Sequence, residues 1–167
     1  VPVTAGPIAA TNDTATGING ATGASNVLNV LTGDTRNGTS ATTATVDITV
    51  AAGSSVPAGL TFDPATGNVS VNPGTPAGTY SFDYTICEKL NPANCATATA
   101  TVTVLPSPIV AVNDSVGDIV STIGGTNVLN AFTGDTINGQ PATPANAIIT
   151  LAPGAVLPVE FTLDPAT

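Results

Sequence analysis

Few residues in this 167-residue chain could do chemistry, and their spacing limits what that chemistry could be. There is no histidine, so the commonest general base and metal ligand is missing. The only cysteines, Cys87 and Cys95, enclose seven residues. A redox or metal pair would need a CxxC spacing or further ligands, and neither is present. The spacing predicts a disulfide across the base of a hairpin, worth roughly 2.5 kcal/mol on the chain-entropy estimate. Such a pair in an otherwise cysteine-free chain points to an oxidising compartment.

Eleven acidic residues stand against two basic ones, Arg36 and Lys89, for a formal charge of −9. That field repels phosphates, so nucleic acid and anionic membrane surfaces are not expected partners. The ion that suits carboxylate and carbonyl oxygens is calcium. Its candidate ligands are Asp13 and Asp114, which share a context, and Asp34 and Asp135, which head two GDTxNG loops. The alternative for each is that Asp and Asn cap turns by bonding their own backbone. No segment has the dense DxDxDG pattern of a dedicated calcium loop, and no other cofactor is expected. Lys89, the sole lysine, lies in a polar loop, whereas an isopeptide crosslink to Asn would need it buried. With no phosphate-binding loop and no carboxylate pair that the sequence places in a pocket, no catalytic site is expected.

The elements that must position these residues read as strands. In 78–104, Tyr80, Phe82, Tyr84 and Ile86 alternate with polar residues, and Ala96, Ala98, Ala100, Val102 and Val104 alternate with threonines. Period two marks two half-buried strands of one hairpin, with the cysteines at its loop. Further strands are expected near 7–12, 15–18, 25–31, 44–50, 60–63 and 68–71, besides 79–87 and 95–104. Pro64 and Gly67 make a β-turn between 60–63 and 68–71. Many Thr, Val, Gly and Pro residues favour strands over helices, and a core of Ala and Val with little aromatic content should be thin. The expected fold class is all-β, a sandwich of seven or eight short strands. No stretch approaches the ~18 apolar residues that span a bilayer as a helix. Val1 opens without a charged or apolar leader, so a signal peptide is expected to have been removed or to lie upstream.

Laid on itself at an offset of 101, the chain aligns 1–66 with 102–167 without a gap, and 32 of 66 positions are identical. Asn26-Val27-Leu28-Asn29 meets Asn127-Val128-Leu129-Asn130, and Thr32-Gly33-Asp34-Thr35 meets Thr133-Gly134-Asp135-Thr136. A period near 100 residues is that of a whole sandwich domain. The expected organisation is residues 1–4 as the end of a preceding repeat, 5–104 as a complete repeat, a proline-bearing linker at 105–108, and 109–167 as a partial second repeat. The second copy has no version of the stapled hairpin, which suggests a window on a longer tandem array. A strand donated by another molecule is the rival expectation, though one strand replaces few of about 35 residues.

The stretch GLTFDPATGNVSVNPGTPAGTYSFDYTICEKLNPANCATATATVTV, preceded by NVLTGDTRNGTSATTATVDITV, resembles the tandem immunoglobulin-like repeats of very large cell-surface adhesins of Bacteroidota. The resemblance implies an extracellular, cell-anchored, repetitive protein, in some members exported by the type IX route and linked to gliding or attachment. With such a source, Asp13-Thr14-Ala15, Asp114-Ser115-Val116 and Asp135-Thr136-Ile137 match a short O-glycosylation pattern at Thr14, Ser115 and Thr136. Chance matches arise readily in a Thr-rich chain. Asn12, Asn37, Asn68 and Asn113 begin Asn-x-Ser/Thr sequons, which matter only in a host that glycosylates Asn.

The functional expectation is therefore a stalk segment of a surface adhesin or filament whose partners are neighbouring repeats of the same chain and, in a filament, like chains. Two other classes compete with it. A polymeric filament subunit would show strands crossing between chains, and an accessory binding module of a secreted enzyme would need an exposed aromatic platform. Aromatics are too scarce for the last.

Overall fold

The computed structural model describes residues 4–166, and among them there are thirteen strands and no helix. In order they are β1 (Ile8–Ala9), β2 (Asp13–Asn19), β3 (Ala24–Asn29), β4 (Thr35–Arg36), β5 (Thr39–Ser40), β6 (Val46–Val50), β7 (Leu60–Asp63), β8 (Asn68–Val71), β9 (Gly78–Glu88), β10 (Asn91–Leu105), β11 (Ile109–Val110), β12 (Thr136–Ile137) and β13 (Gln140–Pro141). The chain divides into two compact units, Val1–Pro106 and Ser107–Thr167. Most of residues 1–4, read from the sequence as the end of a preceding repeat, lie outside the described residues.

The first unit holds a four-stranded sheet in the order β2-β10-β9-β6 and a three-stranded sheet in the order β3-β8-β7. Its centre is the β9–β10 hairpin, whose ladder runs from Cys95 opposite Cys87 to Val104 opposite Gly78. The alternation read from the sequence holds along both strands. Phe82, Tyr84 and Ile86 on β9 and Ala98, Ala100, Val102 and Val104 on β10 are buried, while the intervening residues are not fully covered. Val69 and Val71 of β8 and Leu60 of β7 bury against the same cluster, so the two sheets share one core. Phe62 of β7 meets Phe82 of β9 with ring centroids 5.1 Å apart, a tilted aromatic pair between the sheets. Two sheets with one core between them is the layering of a β-sandwich.

Pairing at the sheet edges follows from length and turns. β6 runs antiparallel to β9, with Ile48 opposite Ile86, and β2 runs parallel to β10, with Asp13 opposite Ala100. A small third sheet, β1-β4-β5, was not legible from alternation because its strands have two residues each. Its turn was spelled out nonetheless: Asn37 and Gly38 both take positive φ, 51° and 74°, as a tight two-residue hairpin requires.

The second unit, taken by itself, contains one sheet, β11-β12-β13, whose residues are those of β1-β4-β5 moved by 101 positions. Its register is the same: Ile109 faces Ile137 as Ile8 faces Arg36. The remaining described residues of this unit form turns and extended chain without ladders. No helix among the described residues is long and apolar enough to cross a membrane.

Candidate functional site

Three polar side chains meet beside the apolar core of the sandwich. Asp13 opens β2, Asp34 sits in the turn before β4, and Tyr84 lies on the inward face of β9; all three are buried. Tyr84 arrives there because period two along β9 sends it inward with Phe82 and Ile86. Its hydroxyl lies 3.0 Å from Asp13 Oδ2, 3.2 Å from each carboxylate oxygen of Asp34, and 2.8 Å from the carbonyl of Thr11. Asp34 also accepts the Thr11 amide at 2.7 Å. Thus Asp34 ties the β1–β2 connection to the core, and Tyr84 ties both carboxylates to the central strand.

One phenolic hydrogen can serve one acceptor at a time, so the cluster holds more acceptors than Tyr84 alone can satisfy. Below about pH 6 a proton held by Asp13 supplies the balance. Burial, partly offset by the Tyr84 hydrogen bond and reinforced by Asp34, raises Asp13 from its ordinary 3.8 to about 6. Burial likewise raises Asp34, against the hydrogen bonds from Thr11 and Tyr84. Burial and the two carboxylates push the Tyr84 hydroxyl well above its ordinary range, so it remains a donor at any working pH. Chemically, the group is a proton-holding polar lock inside the core.

A second cluster sits where β9 meets β10. The Cys87–Cys95 disulfide expected from spacing is formed, between residues directly opposite in the ladder. The next inward position of β9 is Glu88, which is buried. Its carboxylate accepts from Arg36 Nε at 2.7 Å and from the side-chain amides of Asn91 at 2.9 Å and Asn94 at 3.0 Å. The hydrogen bonds from Asn94, Asn91 and Arg36 hold Glu88 below the usual carboxylate range, so it stays ionised. Asn94 also donates to the carbonyl of Gly6 at 2.8 Å, pinning the start of the first unit onto the hairpin loop. This pocket of polarity was not read from the sequence. The signal was available: inward alternation from Tyr84 through Ile86 lands on Glu88, and Arg36 is one of only two cations that could meet it.

The other candidate residues are scattered. Asp135 accepts the Val112 amide at 2.7 Å, as Asp34 does from Thr11, and Asp114 is half-buried. Thr14 and Ser115 are exposed, whereas Thr136 is half-buried in β12. Of the sequon asparagines, Asn12, Asn37 and Asn113 are exposed and Asn68 is half-buried in β8. Lys89 lies 3.5 Å from Asp47, and both are exposed. The structure thus brings Asp13 and Asp34 together through Tyr84. Among the described residues, no three His, Cys, Asp or Glu side chains converge on one point.

A further feature passed unnoticed in the sequence. Tyr80, near the start of β9, donates its hydroxyl to the carbonyl of Pro76 at 2.8 Å, strapping the corner between β8 and β9. No protein-family model matches this chain, and no curated protein is significantly similar to it.

Proposed function

We propose that this chain is a structural segment of a secreted, repetitive cell-surface adhesin or extracellular filament, built from immunoglobulin-like repeats. The observation that carries the reading is the return, after 101 residues, of the same sequence pattern with the same turns and the same small sheet. Asn37 and Asn138 take φ of 51° and 54°, and their amides donate to Pro7 and Pro108 at 2.8 Å in both cases. Two features support the immunoglobulin-like assignment. The sheets order as β3-β8-β7 and β2-β10-β9-β6, and Tyr80 bonding back four residues is similar to the tyrosine corner of that fold.

The function is mechanical. Ladder hydrogen bonds carry load along each repeat, the Cys87–Cys95 bond limits fraying of the central hairpin, and a linker with Pro106 and Pro108 stiffens the junction. An acidic surface keeps neighbouring stalks from clumping. Small-angle scattering from arrays with one, two and three appended copies of residues 5–104 tests this. Maximum dimension should rise in proportion to copy number. Growth as the cube root of mass, as for a compact particle, would overturn the stalk.

A further inference from the structure

Tension along a chain is resisted by whichever strand pairing it must break, and the first unit sets its first long strand beside its last. β2 runs parallel to β10, with partners in order from Asp13 opposite Ala100 to Asn19 opposite Leu105. In a parallel pair, the end at which one strand begins and the end at which the other finishes lie at opposite ends of the ladder. Tension that enters ahead of Asp13 and leaves after Leu105 therefore slides the two strands past each other. Sliding strains all the ladder bonds together, whereas peeling from one end opens them singly.

The other pairings in the same path either give way sooner or hold longer. β1 meets β4 over two residues only, so it yields before β2 is loaded. On its other side β10 is held by β9 over a longer ladder, from Cys95 to Val104, and yields after β2. The entering end of β2 is reinforced. Asn12 Oδ1 accepts the Thr99 amide at 3.0 Å, which adds a rung ahead of the ladder. Asp13 Oδ2 accepts the Tyr84 hydroxyl at 3.0 Å, a tie that reaches past β10 to β9. Ala15 and Ile18 pack on the core that contains Val102 and Val104. At the leaving end, the Gly20 amide donates to the Leu105 carbonyl at 3.4 Å.

We infer that the parallel β2–β10 pair, fastened at its entering end by Asn12 and Asp13, is a mechanical clamp that sets the force at which the first unit opens. The disulfide lies outside the clamp. Cys87 and Cys95 join the hairpin beyond Ala100, the first partner of β2, and close residues 88–94 on themselves. The disulfide thus governs how much chain is released and not the force of release. The use of the clamp rests on the stalk reading, but its strength does not: failure of the scattering test would remove the stalk and leave this force unchanged.

The test stretches single molecules of the full chain through thioether-linked handles. Ala5→Cys with Ser107→Cys loads β2 and β10 along their length. Ala5→Cys with Thr43→Cys loads the same sheet across its end, because the turn before β6 lies beside the close of β9, where the Lys89 amide donates to the Thr45 carbonyl at 3.1 Å. The first pair of handles should rupture the unit at about twice the force of the second or more, since its ladder bonds break together. Equal forces would overturn the clamp. Reduction of the disulfide should leave the along-strand force unchanged and lengthen the released chain by roughly 20–25 Å, the span of the loop it closes. A fall in that force on reduction moves the resistance into the hairpin and overturns the inference as well.

Discussion

Residues 24–50 and 125–151 carry closely related sequences and the same turns, yet the second run keeps only the short strands β12 and β13, and its counterparts of β3 and β6 form no ladder. Asn26 and Asn127 both take φ of 52°, Gly33 and Gly134 take 83° and 80°, and Leu31 and Phe132 both donate to an Asn side chain at 2.9 Å. These features are decided within a few residues. Asn and Gly tolerate left-handed backbone, and an Asn side chain caps the turn two residues on. Strands are not decided so locally. Val46–Val50 is a strand because β9 lies beside it, and the Ile48 side chain is buried because Ile86 faces it. The contrast says that this fold has two layers of specification, turns set by nearby residues and the longer strands set by distant partners in β8, β9 and β10.

The most severe way to break the contrast is to remove the residue that joins the hairpin to everything else. Tyr84→Ala deletes a fully buried ring and leaves Asp13 and Asp34 without their donor, so a loss of about 3–5 kcal/mol is expected. The urea midpoint should collapse, and β2 and β6 should lose amide protection until they resemble 114–120 and 147–151. Full protection of β6 in this variant would contradict the primacy of the hairpin.

A milder break is the double substitution Cys87→Ser with Cys95→Ser. Closing a loop of this length stabilises by roughly 2.5 kcal/mol, and the loss should fall on the first unit alone. Thermal unfolding under reducing and non-reducing conditions gives the comparison, with the double variant insensitive to reductant. A midpoint unmoved by reduction of the parent would remove the staple from the account.

The smallest effect concerns pH and has an unusual sign. Asp13 titrates near 6 in the folded protein and near 3.8 when unfolded, so the folded state binds its proton more tightly. Its contribution is complete below the unfolded value and is lost as pH rises through about 6; Asp34, raised by burial, adds in the same direction. Acidification from pH 7 to 4 should therefore add about 1–2 kcal/mol from Asp13, after allowance for solvent screening, with Asp34 adding in the same direction. Glu88 and Asp63, both held below their ordinary values, act oppositely at lower pH. Urea midpoints of the parent and of Asp13→Asn across pH 4 to 7 isolate the term. The variant should lose the rise on acidification, and parallel profiles would show that Asp13 is not its source.

Much of the fold was legible because its signals are local. Strands β7 and β8 fall at 60–63 and 68–71, as the turn residues Pro64 and Gly67 indicated, and β9 and β10 extend the expected spans by at most four residues. The disulfide followed from spacing. The candidate sites were less legible. Asp13 and Asp34 stood out only as acidic residues in repeated motifs, and nothing local tied either to Tyr84, fifty residues or more away. Nothing local marked Glu88 as buried, because its burial depends on Arg36, Asn91 and Asn94 closing over it.

By itself the sequence determined the all-β class, the 101-residue recurrence, the turn positions and the stapled hairpin, since backbone preference and alternation act over a few residues. Only the tertiary structure decided which carboxylates are buried and which stretch becomes a strand. A strand needs a partner and a buried charge needs a companion, and both come from parts of the chain that sequence distance does not bring together.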